Sequence, residues 1–263
     1  MNRRELMQML ALLGAGAGAW RSTATAAHPG LDPAAPRPRF VCLVYPHMLL
    51  LDLVPALTAF DLMMGDIELV WKERRPLAAE PGLSLQPTRT FDEVAPGPDV
   101  LFVPGGMRGT AACMEDPELL AFLARIGGSA RYVTSVCTGS LVLGAAGLLR
   151  GYRATGYWPT LDLLPRLGAI VAKDRVVVDR DRITGGGITA GLDFGLMVAS
   201  AIRGENWAKT IQLALEYAPA PPFDAGTPES AGPELSATTR RLLSAQLPLL
   251  ERAATLAGAR LKS

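Results

Sequence analysis

A cysteine among small residues, at the end of a β-forming run, carries the sharpest chemical signal in this chain. Tyr132-Val133-Thr134-Ser135-Val136 reads as a strand, Cys137-Thr138-Gly139-Ser140 follows, and Leu141-Val142-Leu143-Gly144-Ala145-Ala146 reads as a buried helix. That order sets Cys137 on a tight strand-to-helix turn, the device that presents the nucleophile in serine hydrolases. Small neighbours suit such a turn because it is crowded and a bulky flank would clash. At the first turn of a helix, unpaired N–H groups and the macrodipole favour a thiolate over a thiol. A buried structural cysteine is the competing reading, since free cysteine is among the most buried residue types.

Other chemistry-bearing positions are sparser. Gly105-Gly106 closes an apolar run after Pro104, where a chain reversal needs glycine's freedom at positive φ. Asp52 opens a helical pattern, where its simplest role is an N-cap worth roughly 1 kcal/mol. Gly185-Gly186-Gly187 lacks both the GxGxxG and the GKS/T pattern of a phosphate cradle, so close packing beside the elbow is the better reading. His47 stands alone in a loop, where a histidine is usually solvated.

The elements that must position these groups follow from periodicity. Residues 39–45 read as a first strand, apolar nearly throughout and therefore central in a covered sheet. Residues 51–64 predict a helix, 67–72 a second strand, 83–88 an exposed hairpin arm and 99–103 another buried strand. Asp116-Pro117-Glu118 starts a helix with an acidic cap and proline at its first position. Residues 176–184 predict a polar-tipped hairpin, Thr189 caps a helix over 190–202, and 205–217 predicts one more. Strands alternating with helices imply an α/β fold: a mainly parallel, doubly wound, flavodoxin-like sheet with helices on both faces and a nucleophile elbow after a central strand. Sites in such sheets lie beyond the carboxyl ends of the strands, where Cys137 and Gly105-Gly106 both fall.

Composition narrows the function class. The 263 residues are 49% hydrophobic, with 26 basic and 25 acidic side chains, which suits one α/β domain with a substantial core. Near-neutral charge without a basic stripe argues against nucleic acid as a partner. Three cysteines and two histidines, none in CxxC or HxxxH spacing, argue against a structural metal site. At the start, Arg3-Arg4, an apolar stretch over 9–20 and Ala24-Thr25-Ala26 have the layout of an export signal of twin-arginine type over residues 1–27. The apolar stretch is well short of the ~20 residues that span a bilayer. The expected mature protein is periplasmic, touching the membrane only during export. Residues 28–38, with four prolines, read as a linker; 39–226 as the domain; and 227–263 as a helical tail. In that tail Leu242, Leu243, Leu247, Leu250 and Leu256 line a stripe interrupted by Pro248, with neither the length nor the charge of a helix-turn-helix domain.

These segments together resemble the ThiJ/PfpI superfamily, with its class I glutamine amidotransferase-like fold, and within it the isonitrile hydratases. The resemblance rests on Val103-Pro104-Gly105-Gly106, on Met114-Glu115-Asp116-Pro117, on the long run from Ala130 through Cys137 to Leu149, and on Thr184-Gly185-Gly186-Gly187. It spans about residues 40–226. It implies a cofactor-free, metal-free hydro-lyase that adds water to a small-molecule isonitrile to give an N-substituted formamide, working as a homodimer. Residue by residue it implies that Cys137 is the nucleophile, that Thr138 is the threonine beside it, and that Asp52, within Leu51-Asp52-Leu53, is the catalytic aspartate. Asp52 would donate a proton to the isonitrile carbon while the thiolate attacks, which requires a desolvated carboxyl, for which the Leu49-Leu50-Leu51 run is suited. Thr138 would orient the thiol or form an anion-stabilising nest with Gly106. Gly105, Gly106 and Tyr157 are the expected substrate-binding residues.

The chain departs from its relatives at two sites. Leu53-Val54-Pro55-Ala56 stands where Thr-Gly-Pro is usual after the aspartate, and proline there removes an N–H and fixes φ. Thr155-Gly156-Tyr157-Trp158 stands where Thr-Thr-His-Trp is usual, so Tyr157 takes the histidine's place and a Cys–His dyad of the usual kind is not expected. Both departures support a second reading, a non-catalytic ligand-binding or thiol-sensing protein on the same scaffold, and a glyoxalase-like carbonyl enzyme is a third.

Overall fold

The computed structural model of the chain describes residues 36–262. The expected export signal, and all but the last three residues of the expected linker, lie outside that range. Chain order within it is β1 (Arg39–Leu43), α1 (Leu50–Leu62), β2 (Asp66–Val70), β3 (Leu77–Ala78), β4 (Ser84–Leu85), β5 (Val100–Val103), α2 (Met107–Met114), α3 (Pro117–Gly127), β6 (Tyr132–Val136) and α4 (Gly139–Ala145). There follow β7 (Arg153–Ala154), a 3₁₀ stretch (Trp158–Leu167), β8 (Ile170–Val171), β9 (Val176–Asp179), β10 (Arg182–Gly185), α5 (Ala190–Arg203), α6 (Glu205–Ala214), α7 (Pro228–Leu242) and α8 (Leu247–Arg260).

Six strands form one sheet in the order β2-β1-β5-β6-β10-β9, parallel except where β9 returns antiparallel to β10. The five parallel strands alone have the 2-1-3-4-5 order of a flavodoxin-like winding. β5 is buried at every position, and β1 and β6 at all but their first residue. Helices therefore cover both faces: α1, α5 and α6 form one group, and α2, α3, α4 and α8 with the 3₁₀ stretch form the other. The winding reverses between β1 and β5, which opens a crevice beyond their carboxyl ends.

Aromatic stacking fixes the helix that matters most for the site. Phe60 of α1 stacks on Phe40 of β1 with ring centroids 4.2 Å apart and meets Phe102 of β5 edge-on at 5.6 Å. Phe102 in turn stacks on Phe194 of α5 at 5.3 Å. All four rings are fully buried. The first turn of α1 thus has a rigid base, although Pro55 lies inside the helix.

Several local expectations change. Thr189 does not cap α5: it has helical φ/ψ, and its hydroxyl accepts from Arg175 instead. Pro248 does not interrupt a helix but lies in the first turn of α8, where a missing N–H costs nothing. The tail's core-facing side is alanine-rich rather than a leucine stripe. Leu250, Ala253, Ala254 and Ala257 are buried, whereas Leu242 and Leu256 are exposed. Small side chains let α8 lie close on the 3₁₀ stretch. No periodicity in the sequence announces α2. Among the described residues no helix is long and apolar enough to cross a membrane.

Candidate active site

Cys137 leaves β6 in the left-handed region at φ 56°, a conformation that costs a non-glycine residue about 1–2 kcal/mol. Its N–H donates to the carbonyls of Gly185 and Gly186, at 3.1 and 2.8 Å, which holds the strained turn against the end of β10. At Gly139, two residues on, an added Cβ would collide with the carbonyl oxygens of Val103 and Pro104. The small flank of the elbow is therefore a steric requirement of β5 lying beside it. Cys137 is 4% exposed, and the neighbouring backbone N–H groups of Thr138 and Ile188 pull its thiol toward the thiolate.

Asp52 reaches the same spot from α1. It is not the N-cap, which is Leu49; its carboxylate leaves the helix and accepts from the Gly105 N–H at 3.1 Å. The Cys137 thiol is its hydrogen-bonding neighbour on the other side. Asp52 Oδ1 has no partner of full hydrogen-bond geometry, so that thiol contact is a loose one. The expected drying agent is not the one at work. Leu51 is 53% exposed, whereas Asp52 is 0% exposed beneath Gly105, Thr138 and Cys137. Gly105 is needed for this: a Cβ there would lie 2.6 Å from Asp52 Oδ2 and 2.8 Å from Thr138 Oγ1.

The electrostatics follow from burial. Desolvation raises the Asp52 carboxyl to about 6, against the smaller opposing pull of the Cys137 and Gly105 hydrogen bonds. It pushes the Cys137 thiol well above its ordinary value, and the Asp52 charge pushes it further. Thiolate stabilisation by the helix terminus was the expectation; the two N–H groups do pull that way, but burial outweighs them. Near pH 7, therefore, the proton of the pair resides on sulfur and Asp52 is mostly ionised.

Thr138 has a different task from a nest with Gly106. Its Oγ1 accepts from the Gly106 N–H at 3.0 Å, so that N–H already has a partner. Thr138 Oγ1 also lies 2.7 Å from Thr110 Oγ1, and Thr110 lies 3.3 Å from the Tyr45 hydroxyl, which donates to the Pro104 carbonyl at 2.8 Å. One consistent direction satisfies all of them: Gly106 N–H to Thr138, Thr138 O–H to Thr110, Thr110 O–H to Tyr45, Tyr45 O–H to Pro104. Tyr45, Thr110 and Thr138 are fully buried. Thr110 and Tyr45 escaped the sequence reading because α2 itself did, and because Tyr45 reads as one more apolar strand residue.

Tyr157 is half-buried, and its hydroxyl is raised first by burial, then by the nearby Cys137 and Asp52. It lines a cleft of about 640 Å³ together with Trp158 and Gly186, Gly187 and Ile188. His47, the sole histidine among the described residues, is exposed on the turn after β1 and takes no part. Among the described residues no group of three or more His, Cys, Asp or Glu side chains could hold a metal ion.

The profile of the DJ-1/PfpI family matches residues 39–201. Isonitrile hydratase of Pseudomonas putida is 48% identical over 220 residues, which are 83% of this chain and 96% of that protein. A crystal structure of a ThiJ/PfpI family protein from Pseudomonas syringae is 41% identical, with a TM-score of 0.83, covering 92% of this chain and 99% of that one. The HTH-type transcriptional regulator CdhR of Pseudomonas aeruginosa is 31% identical over 146 residues, which are 54% of this chain but 41% of the regulator.

Proposed function

The chain belongs to the DJ-1/PfpI family, and on that premise we propose that it hydrates an isonitrile, R–N≡C, to the formamide R–NH–CHO through a thioimidate on Cys137. The observation that carries this reading is the dry Cys137–Asp52 pair, both side chains buried and the Asp52 carboxylate held by the Gly105 N–H. The likeness to isonitrile hydratase across most of both chains supports it.

An isonitrile carbon must gain a proton and a nucleophile on the same atom. The pair holds one proton between two groups, which is what that addition needs. Asp52 takes the thiol proton and delivers it to the isonitrile carbon as sulfur attacks. One C–S and one C–H bond form, the N≡C triple bond becomes a double bond, and the product is R–N=CH–S–Cys137. Thr138 and Ile188 N–H groups stabilise the sulfur as its proton leaves. Asp52, ionised again, then takes a proton from water as its oxygen adds to the same carbon, and that proton passes to nitrogen. The adduct collapses, its hydroxyl proton returns to sulfur, and R–NH–CHO leaves with the enzyme regenerated. No step requires histidine, so Tyr157 in that place is compatible with the reaction. A thiol held protonated by burial also disfavours thiol sensing, because oxidation follows thiolate character.

Incubation of the purified protein with a simple alkyl isonitrile tests the reading, with N-alkylformamide measured by mass spectrometry against protein-free buffer. Formamide above background supports it; none with several isonitriles overturns it. We further propose export to the periplasm, on the Arg3-Arg4 segment, and a homodimer. Fractionation of cells with and without Arg3→Lys/Arg4→Lys, and sedimentation of the purified chain, test these two.

A further inference from the structure

We infer that the substituent carried by the isonitrile is an aryl group of about two rings, bound in the cleft beside Cys137 and recognised in part by α7. The inference rests on the hydration reading and goes beyond it. The isocyano group is two atoms, nearly the same in every member of its class, so discrimination has to come from R. The space available for R is defined by residues already tied to the reacting pair. Gly186, whose carbonyl accepts from the Cys137 N–H at 2.8 Å, lines the cleft, and so does Gly156, where an added Cβ would lie 2.8 Å from the Cys137 carbonyl oxygen; Tyr157 and Ile188 are their chain neighbours on the same rim. A substrate with its carbon at the sulfur therefore extends R into this opening.

The volume and the walls specify R. About 640 Å³ falls within the range of ~300–1,000 Å³ typical of drug-sized ligands and far exceeds what a methyl group fills. One wall is Tyr157, Trp158 and Leu161, with the two aromatic rings set edge to face at 6.4 Å. This one apolar, ring-lined wall favours a flat aromatic occupant, while the charged Lys173, Asp174 and Arg175 stand elsewhere around the cleft. The opposite wall comes from the C-terminal segment: Thr227, Ser236 and Arg240 line the cleft, and all three lie beyond the family match, which ends at residue 201. Arg240 is latched to the aromatic wall, its guanidinium 4.9 Å from the Trp158 ring and donating to the Pro159 carbonyl at 3.1 Å. No residue of α7 is buried, so the helix contributes little to the core. Its placement over the cleft gives it a role in selecting ligands.

The test has a binding arm and a turnover arm. The binding arm uses the Cys137→Ala protein and calorimetry with N-(2-naphthyl)formamide and N-methylformamide, the unreactive products. The naphthyl compound should bind at least about tenfold more tightly, and Trp158→Ala should abolish that preference. Ser236→Trp, which fills the cleft from an exposed helix without touching the core, should weaken the naphthyl compound selectively. Equal binding of the two compounds, or a preference untouched by both variants, overturns the inference whatever the enzyme's activity. The turnover arm compares kcat/KM for 2-naphthyl and methyl isonitrile. Their ratio should exceed about ten in the wild type and fall at least about tenfold in Ser236→Trp. Hydration of both at similar rates overturns the inference and leaves the hydration reading standing. Binding preference without any hydration keeps the aryl cleft and sinks the hydration reading instead.

Discussion

At Cys137 and Asp52 a single physical cause, removal from water, sets both proton affinities and therefore the pH behaviour. The one-proton state of the pair forms as pH rises through about 6. With that state as the active one, kcat/KM should climb through about pH 6 and hold a plateau to at least about pH 8, measured as formamide formation. A fall through the same range would mean that the doubly protonated pair is the active form. Stability moves in the opposite sense. The Asp52 carboxyl lies above its unfolded value of 3.8, so the folded chain holds the extra proton between 3.8 and about 6. The stabilisation this gives is full below 3.8 and is lost as pH rises through about 6. Asp52→Asn cannot ionise and should therefore gain on the wild type between about pH 4 and pH 8, by about 3 kcal/mol at most in urea titrations. Thr110 is a positioning residue, reaching the sulfur only through Thr138. Thr110→Val should lower kcat about tenfold with KM little changed, and Thr110→Ser should restore it. Loss of kcat in both variants alike would point to a packing role.

Elements explain why the sequence disclosed part of this site and hid the rest. The elbow was legible because β6, the turn and α4 are contiguous, and local sterics dictate small residues there. Asp52 was legible only through resemblance, since its first turn looks like any capped helix. Its actual partner, Gly105, is 53 residues away in the chain. Thr110 was illegible because α2 buries one side of a short Gly- and Ala-containing segment with no apolar rhythm. The end of α6 at Ala214 rather than 217 has a local cause, the left-handed Glu216 at φ 50°. Two substitutions test how firmly elements hold the site. Phe60→Ala removes the ring that ties α1 to β1 and β5 and should cost about 3–5 kcal/mol in urea unfolding. Gly105→Ala should leave the chain folded, at a cost of about 1–3 kcal/mol, while displacing Asp52 and lowering kcat about a hundredfold or more.

At the scale of the whole molecule, the doubly wound architecture followed from alternation of strands and helices, and the order 2-1-3-4-5 put the site where such sheets place it. Winding says nothing about how the C-terminal segment lies, because α7 and α8 pack through small residues and exposed faces rather than a readable stripe. Through those contacts α7 forms one wall of the cleft and α8 packs against the 3₁₀ stretch. The most direct test of the central claim is a side-by-side time course of formamide formation by the wild type, Cys137→Ala and Asp52→Asn, each verified as folded by circular dichroism. Formamide from the wild type, with the Cys137 variant at background and the Asp52 variant down about a hundredfold or more, is the expected result. Formamide from Cys137→Ala at the wild-type rate would contradict it.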